Sequence, residues 1–324
     1  MSIGAILLSV NSYKPDKKVT RATSSRGFLN TNKKKKTSSK KFDIKSDPHV
    51  IMRGIIYTLT SAVLLFCICF SAYNIIKWRA ENEMADEQIR ELQAETIIVE
   101  VEPEPEPEPD PKPTKEKIDV TISKDDPYWE LSKIPLISVD LSASIAKNPD
   151  VVGWIQVPGT NINYPYVQTN NNEYYLNHSL NRTINSAGWV FLDMNNSAKL
   201  TDQNQVLYAH GRYDGSMFGS LNNILSKEWQ EKTENHIVKI STLTDNSIWQ
   251  VFSVYRIPVT SDYLTTNFEN ESDFDNFLQK ISTRSVYDFQ TTAHASNKII
   301  TLSTCIGTNE RVVLHAKLIK IAQK

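Results

Sequence analysis

The sequence predicts a mainly β domain, a closed antiparallel barrel or a sandwich, carried on a single membrane-spanning helix. Three observations lead there. Eight short stretches after residue 150 are rich in β-branched and aromatic side chains, with Asn, Gly, Asp and Pro between them. Within the series only SDFDNFLQKIS breaks the pattern, with Phe274, Phe277, Leu278 and Ile281 at i, i+3, i+4 and i+7 of a helix. Far upstream, residues 55–76, IIYTLTSAVLLFCICFSAYNII, carry no charged side chain.

The chain begins with a basic segment. Residues 1–54 hold thirteen Lys and Arg against three Asp, and residues 1–50 are rich in Ser, Thr, Asn and Lys. Such a composition buries too little apolar surface to fold, so this tail is expected to be disordered. The 22 uncharged residues that follow reach about 33 Å as a helix, enough to cross the hydrocarbon core. Lys33 to Lys36, Lys40, Lys41, Lys45 and Arg53 precede the span, and only Lys77 and Arg79 follow closely. The positive-inside rule then places residues 1–54 in the cytoplasm and residues 77–324 outside. A lysine run can also bind nucleic acid. Beside a span it is read as a topological determinant that attracts anionic lipid, and no nucleic-acid partner is expected.

Residues 77–119 form the next block. Helix formers at 81–100 extend the membrane helix outward, and EPEPEPEPDPKP follows at 102–113. Alternating proline bars a helix interior and favours polyproline II, giving a spacer of about 37 Å. The folded domain is expected over 120–324. It opens on a short amphipathic helix in SVDLSASIAKN, residues 138–148, which Pro149 ends. The strand segments are then VVGWIQV, NYPYVQ, GWVFLD, QVLYAH, HIVKIST, IWQVFSVYRI, KIITLST and RVVLHAKLIKI.

Three cysteines occur, and two of them, Cys67 and Cys69, lie inside the span as small apolar residues. Cys305, at the end of KIITLSTC, therefore has no intrachain disulfide partner outside the membrane. It is either a buried inert thiol or a reactive one. A reactive thiol needs a base or cation nearby. The outer domain offers His178, His210, His236, His294 and His315. His210 ends the apolar run VLYA before Gly211, which puts it at a strand mouth, while His315 alternates within a strand. Arg311 opens the strand six residues after Cys305. It is a solvated edge residue, or, if the two strands form a hairpin, a guanidinium within reach of the thiol. No Gly-rich phosphate loop and no CxxC metal pair appears, and no cofactor is expected.

Together these residues resemble the sortase family, most closely its class B members. The resemblance runs from about residue 130 to 324 through ordered blocks: NPDVVGWIQVPGTNINYPYVQ, NNNEYYLNHS, AGWVFLD, LYAHGRYDGSMFGSL, VFSVYRIPVTSDYL, TLSTC and RVVLHAKL. It implies an eight-stranded barrel with N-terminal helices and one extra helix before the catalytic strand. It also implies a membrane-anchored cysteine transpeptidase facing the cell wall. Such an enzyme cleaves a C-terminal sorting motif of secreted proteins at a Thr carbonyl. It passes the acyl group to an amine of a peptidoglycan precursor or stem peptide. By the same resemblance Cys305 is the nucleophile, His210 the general acid and base, and Arg311 the oxyanion-stabilising cation. Asn172, Leu176, Tyr263, Leu264 and Ser303 fall on peptide-contacting positions. Ala209 stands where a glycine usually precedes the histidine, and Ile306 where an acid often follows the cysteine. Two other functions fit the same sequence: a sortase that polymerises pilins, and an inactive membrane-tethered binding module.

Overall fold

The computed structural model describes residues 48–101, 129–306 and 309–324. The Pro/Glu tract at 102–113, read above as a spacer, lies outside these, as do residues 1–47. Two compact units are distinguished, Met1–Ala62 and Val63–Lys324. In the first, the described residues are helical from Pro48 onward.

Helix α1 runs unbroken over Pro48–Glu95. Its apolar part, residues 55–76, is exposed along its whole length. Beyond it, within the second unit, the helix becomes one-sided: Glu81, Ala85, Ile89 and Leu92, spaced by four, four and three, are buried, the last three in the main apolar cluster. The expected helical extension thus reaches Glu95 and no further. Strand β1, Ile98–Val101, follows and pairs antiparallel with β2, Leu136–Val139, so that Val101 stands opposite Leu136. The amphipathic helix expected at 138–148 is correspondingly shorter, α2 at Ser142–Lys147. The alternating β-branched residues Ile98, Val99, Val101, Ile137 and Val139 took the flanking positions into strand.

All eight predicted strand segments form strands, and together they close one barrel. In chain order they are β3 Val151–Gln156, β4 Asn163–Val167, β5 Phe191–Leu192 and β6 Asn204–His210. After the one-turn helix α3, Lys227–Gln230, come β7 Ile237–Thr242 and β8 Asp245–Pro258. Helix α4, Glu271–Ser282, precedes β9 Ile299–Ile306 and β10 Glu310–Gln323. The order around the barrel is β10-β8-β7-β3-β4-β5-β6-β9. Closure excludes the sandwich, and the barrel is mixed where an antiparallel one was expected. β4 pairs parallel with β5, and β6 parallel with β9. Parallel neighbours need a long crossover. Residues 211–298 supply it for β6 and β9, carrying β7, β8 and α4 on the way.

The pleat divides β9 and β10 between two apolar clusters. Ile300, Leu302, Val312, Leu314 and Ala316 join Trp154, Tyr166, Leu207, Ile240 and Val254 in the barrel interior. Ile299 and Val313, on the opposite face, pack with Phe252, Tyr255, Tyr263, Phe274, Phe277, Leu278 and Ile281. Helix α4 exists to cover that outer face. Its N-cap Asn270 accepts from the Asp273 amide at 2.9 Å, and its four buried residues are those the spacing predicted. Phe274, fully buried between Phe268 and Phe277, is its anchor. Phe274→Ala is expected to lower unfolding free energy by about 3–5 kcal/mol, with the exposed Val286→Ala as the near-neutral comparison. Chemical denaturation monitored by circular dichroism measures both.

Candidate active site

The site lies on the outer face of the barrel, at the rim of the cluster that α4 covers. β6 and β9 run in the same direction, so both end at the same edge. Register pairs Tyr208 with Ser303 and His210 with Cys305. On the other side of β9, β10 pairs Val313 with Ser303 and Arg311 with Cys305. His210, Cys305 and Arg311 therefore occupy one row across three adjacent strands. Neighbouring strands lie about 4.8 Å apart, so the row is about 10 Å wide. Ser303 and Tyr208 share its face one pleat away.

The loop between β4 and β5 forms one wall. His210 Nε2–H donates to the Leu176 carbonyl at 2.6 Å. A carbonyl only accepts, so in the neutral ring Nδ1 carries the lone pair. Gly188 lets this wall approach. Its φ is +62°, and a Cβ there would stand 2.5 Å from the Tyr175 carbonyl oxygen and 3.1 Å from His210 Cδ2. Asn172 braces the same loop, with Nδ2 donating to Asp193 at 2.9 Å and Oδ1 accepting from the Met194 amide at 2.8 Å. The Leu176 side chain is 37% exposed at the site's edge.

The opposite wall comes from the segment after β8. Tyr263, buried, hydrogen-bonds Ser303 through its hydroxyl at 2.9 Å, and Leu264 packs at the margin of the outer cluster. Arg311 is half-buried, and one of its five N–H groups donates to the Glu310 carbonyl at 2.9 Å. Register and hydrogen bonds thus bring His210, Arg311, Ser303 and Tyr263 to one short stretch of β9, while Asn172 and Leu176 lie on the loop that bonds His210 and Leu264 lies on the outer cluster.

Two participants were missed. Asp193, 4% exposed, accepts from Asn172 and from the Tyr208 hydroxyl at 2.8 Å, while its other oxygen takes the Asn195 amide. It ties the first wall to β6. Burial, then the Asp193 charge, hold the Tyr208 phenol well above its ordinary range. Tyr208 was legible as the same-face neighbour of His210 two residues back. Asp193 carried no local signal, because β5 and β6 pairing alone brings it there.

None of the other four outer-domain histidines stands in the row. His315 is fully buried on the outer face, between Thr301 at 2.8 Å and the Tyr255 hydroxyl at 2.8 Å. Thr301 gives its own proton to Asn204 Oδ1 at 2.7 Å. Nδ1–H of His315 therefore donates to Thr301, and Nε2 accepts from Tyr255. His236 is buried among Trp229, Tyr287 and Phe289 and donates to the Gln230 carbonyl. His178 stacks on Tyr174, and His294 is an exposed loop residue.

Comparison with known proteins agrees with this geometry. A family model described as the sortase domain matches residues 155–319, which take in the whole row and both walls. The sortase B of Staphylococcus aureus is 35% identical over 179 residues, 54% of this chain and 72% of the relative. This chain belongs to the sortase family. A crystal structure of sortase B from Bacillus anthracis in complex with AAEK1 superposes with a TM-score of 0.52 at 37% identity, over 56% of this chain and 84% of that one. A Staphylococcus aureus sortase B–substrate complex gives 0.52 at 33%, over 56% and 84%. The relatives are class B enzymes, and at family level this sortase is a cysteine transpeptidase.

The buried imidazole is expected to make this sortase less stable in acid. Burial first, and the Arg284 charge second, push His315 down to about 3 from 6.5. Its folded pKa lies below the unfolded one, so stability is full above pH 6.5 and is lost as pH falls toward 3. Between pH 7 and pH 5 the loss attributable to this ring is about 2 kcal/mol. Urea titrations at the two pH values measure it, and His315→Gln is expected to show a correspondingly flatter pH dependence.

Proposed function

We propose that this sortase is anchored in the cell membrane by residues 55–76, with residues 1–54 cytoplasmic and the barrel outside. There it cleaves C-terminal sorting motifs of secreted proteins and transfers them to a cell-wall amine. The observation that carries the reading is the row His210–Cys305–Arg311. Nucleophile, base and cation are the three groups an acyl transfer through a thioester requires.

Cys305 thiolate attacks the Thr carbonyl of the motif, forming a carbon–sulfur bond. Arg311 stabilises the oxygen that takes up the negative charge. As the tetrahedral adduct collapses, the carbon–nitrogen bond breaks and the His210 imidazolium gives its proton to the leaving amine. The thioester then meets an amine of a peptidoglycan precursor or stem peptide. His210 takes the proton of the attacking nitrogen, and the thiolate leaves. Asn172, Leu176, Tyr263, Leu264 and Ser303 line the groove for the motif. The exposed Leu176 edge and the Tyr263–Ser303 pair support this, because the Leu176 carbonyl bonds His210 on β6 and Tyr263 bonds Ser303 on β9, two residues before Cys305. No step draws on a metal or organic cofactor. The reading favours wall anchoring over pilin polymerisation on the similarity to sortase B enzymes.

Cys305→Ala is expected to abolish cleavage of a sorting-peptide library while shifting the melting temperature by no more than about 2 °C. Arg311→Ala is expected to lower kcat by about 10²–10³-fold, and His210→Ala to slow thiol alkylation at neutral pH. Mass spectrometry of products formed with stem-peptide amines or with pilin lysines separates the two transferase readings. Turnover by Cys305→Ala would remove the assignment.

A further inference from the structure

Two loops of the catalytic unit hold large apolar side chains out in solvent, and both loops are pinned to α1 where it leaves its apolar run. Ile184 is 76% exposed and Tyr213 is 95% exposed. Asn185, next to Ile184, donates through Nδ2 to the Glu81 carbonyl at 2.9 Å. Ser186 hydrogen-bonds the Glu81 carboxylate through its hydroxyl, and through its amide at 3.3 Å. Arg212, next to Tyr213, donates to Asn82 Oδ1 and pairs with Asp214 at 3.1 Å. One helical turn thus holds both loops.

That turn lies close to the end of the apolar segment. Glu81 is five residues beyond Ile76, about 7.5 Å along the helix axis. The polar layer on each side of a bilayer is about 5–8 Å thick, from a hydrocarbon core of about 30 Å within a total of about 40–45 Å. Ile184 and Tyr213 therefore sit at headgroup depth if residues 55–76 span the membrane. Isoleucine and tyrosine suit that layer, tyrosine because its ring is apolar and its hydroxyl stays wet. Trp78, 45% exposed, and the cations Lys77 and Arg79 occupy the same zone on α1 itself.

From this geometry we infer that Ile184 and Tyr213 form a lipid-contacting footprint by which the catalytic unit rests on the membrane its own helix crosses. The inference depends on the anchoring reading above. The footprint holds the active site near the bilayer surface, because the same loops carry the site: Tyr213 is three residues after His210, and Gly188 of the Ile184 loop packs against the His210 ring.

The test uses the full chain in nanodiscs of phosphatidylglycerol and phosphatidylcholine. Benzoylphenylalanine is placed singly at residues 65, 184, 213 and 243, irradiated, and lipid adducts are counted by mass spectrometry. Position 65 lies within the span and is exposed, so it reads insertion. Leu243 is 59% exposed and shares a cleft with Ile97, beyond the far end of α1 and over about 20 Å from Glu81 along the axis. Adducts at 184 and 213 several-fold above those at 243 are expected. Adducts at 65 with either 184 or 213 no higher than 243 would overturn the footprint and leave the anchor standing. No adducts at 65 would bring down both. Because positions 184 and 213 are exposed, the substitutions disturb no packed side chain.

Discussion

Everything in the site depends on the parallel register of β6 against β9. His210 and Cys305 are separated by almost a hundred residues, and only that pairing makes them neighbours. A strand shifted by one residue turns every side chain to the opposite face. Such a slip here would set His210 opposite Thr304, whose neighbours Leu302 and Val312 face the interior. The register is held by buried polar groups at the far end of the pair. The Ile299 amide donates to the Gln203 carbonyl at 2.9 Å, and Asn204 accepts from Thr301 while donating to the Thr265 carbonyl at 2.8 Å. Buried hydrogen bonds add modest net stability but are costly to break singly, so they discriminate strongly against the shifted pairing.

This polar lock continues into the wall of the site. Thr301 holds His315, His315 holds Tyr255, and the Tyr255 ring meets Tyr263 edge to face at 6.3 Å. Tyr263 in turn bonds Ser303, one pleat from Cys305. A neutral imidazole is the suitable centre for such a chain, since it donates on one nitrogen and accepts on the other. A charged one would have to be desolvated beside Arg284, whose guanidinium lies 5.8 Å from the Tyr255 ring centre. The outer cluster is thus a packed support for one wall, while Asp193, gathering Asn172 and Tyr208, supports the other.

What the sequence made legible follows from how local the information was. The eight strands announced themselves through runs such as QVLYAH and RVVLHAKLIKI, and α4 through four apolar residues at helical spacing. Strand direction was not legible, because alternation fixes which residues share a face and says nothing of the neighbouring strand. Hence an antiparallel barrel was expected where β6 and β9 are parallel. The β1–β2 pair was hidden for a related reason: Ile98–Val101 and Leu136–Val139 are four residues each, and each becomes a strand only through the other. Picking out His210, Cys305 and Arg311 as a candidate set needed the family resemblance. Residue chemistry alone left five histidines in play, and burial, which removes His236 and His315, is a property of the fold.

Helix α1 changes character along its length. Its part over residues 55–76 carries no charged side chain and is exposed along its length. Its later part confines apolar contact to Ala85, Ile89 and Leu92 and surrounds them with polar ties. Gln93 donates to the Asn163 carbonyl at 2.9 Å, and Lys147 of α2 pairs with Glu95 at 2.7 Å. Through Glu81 and Asn82 the later part of α1 is also structural for the loops beside His210, tying Asn185, Ser186 and Arg212 to one helical turn.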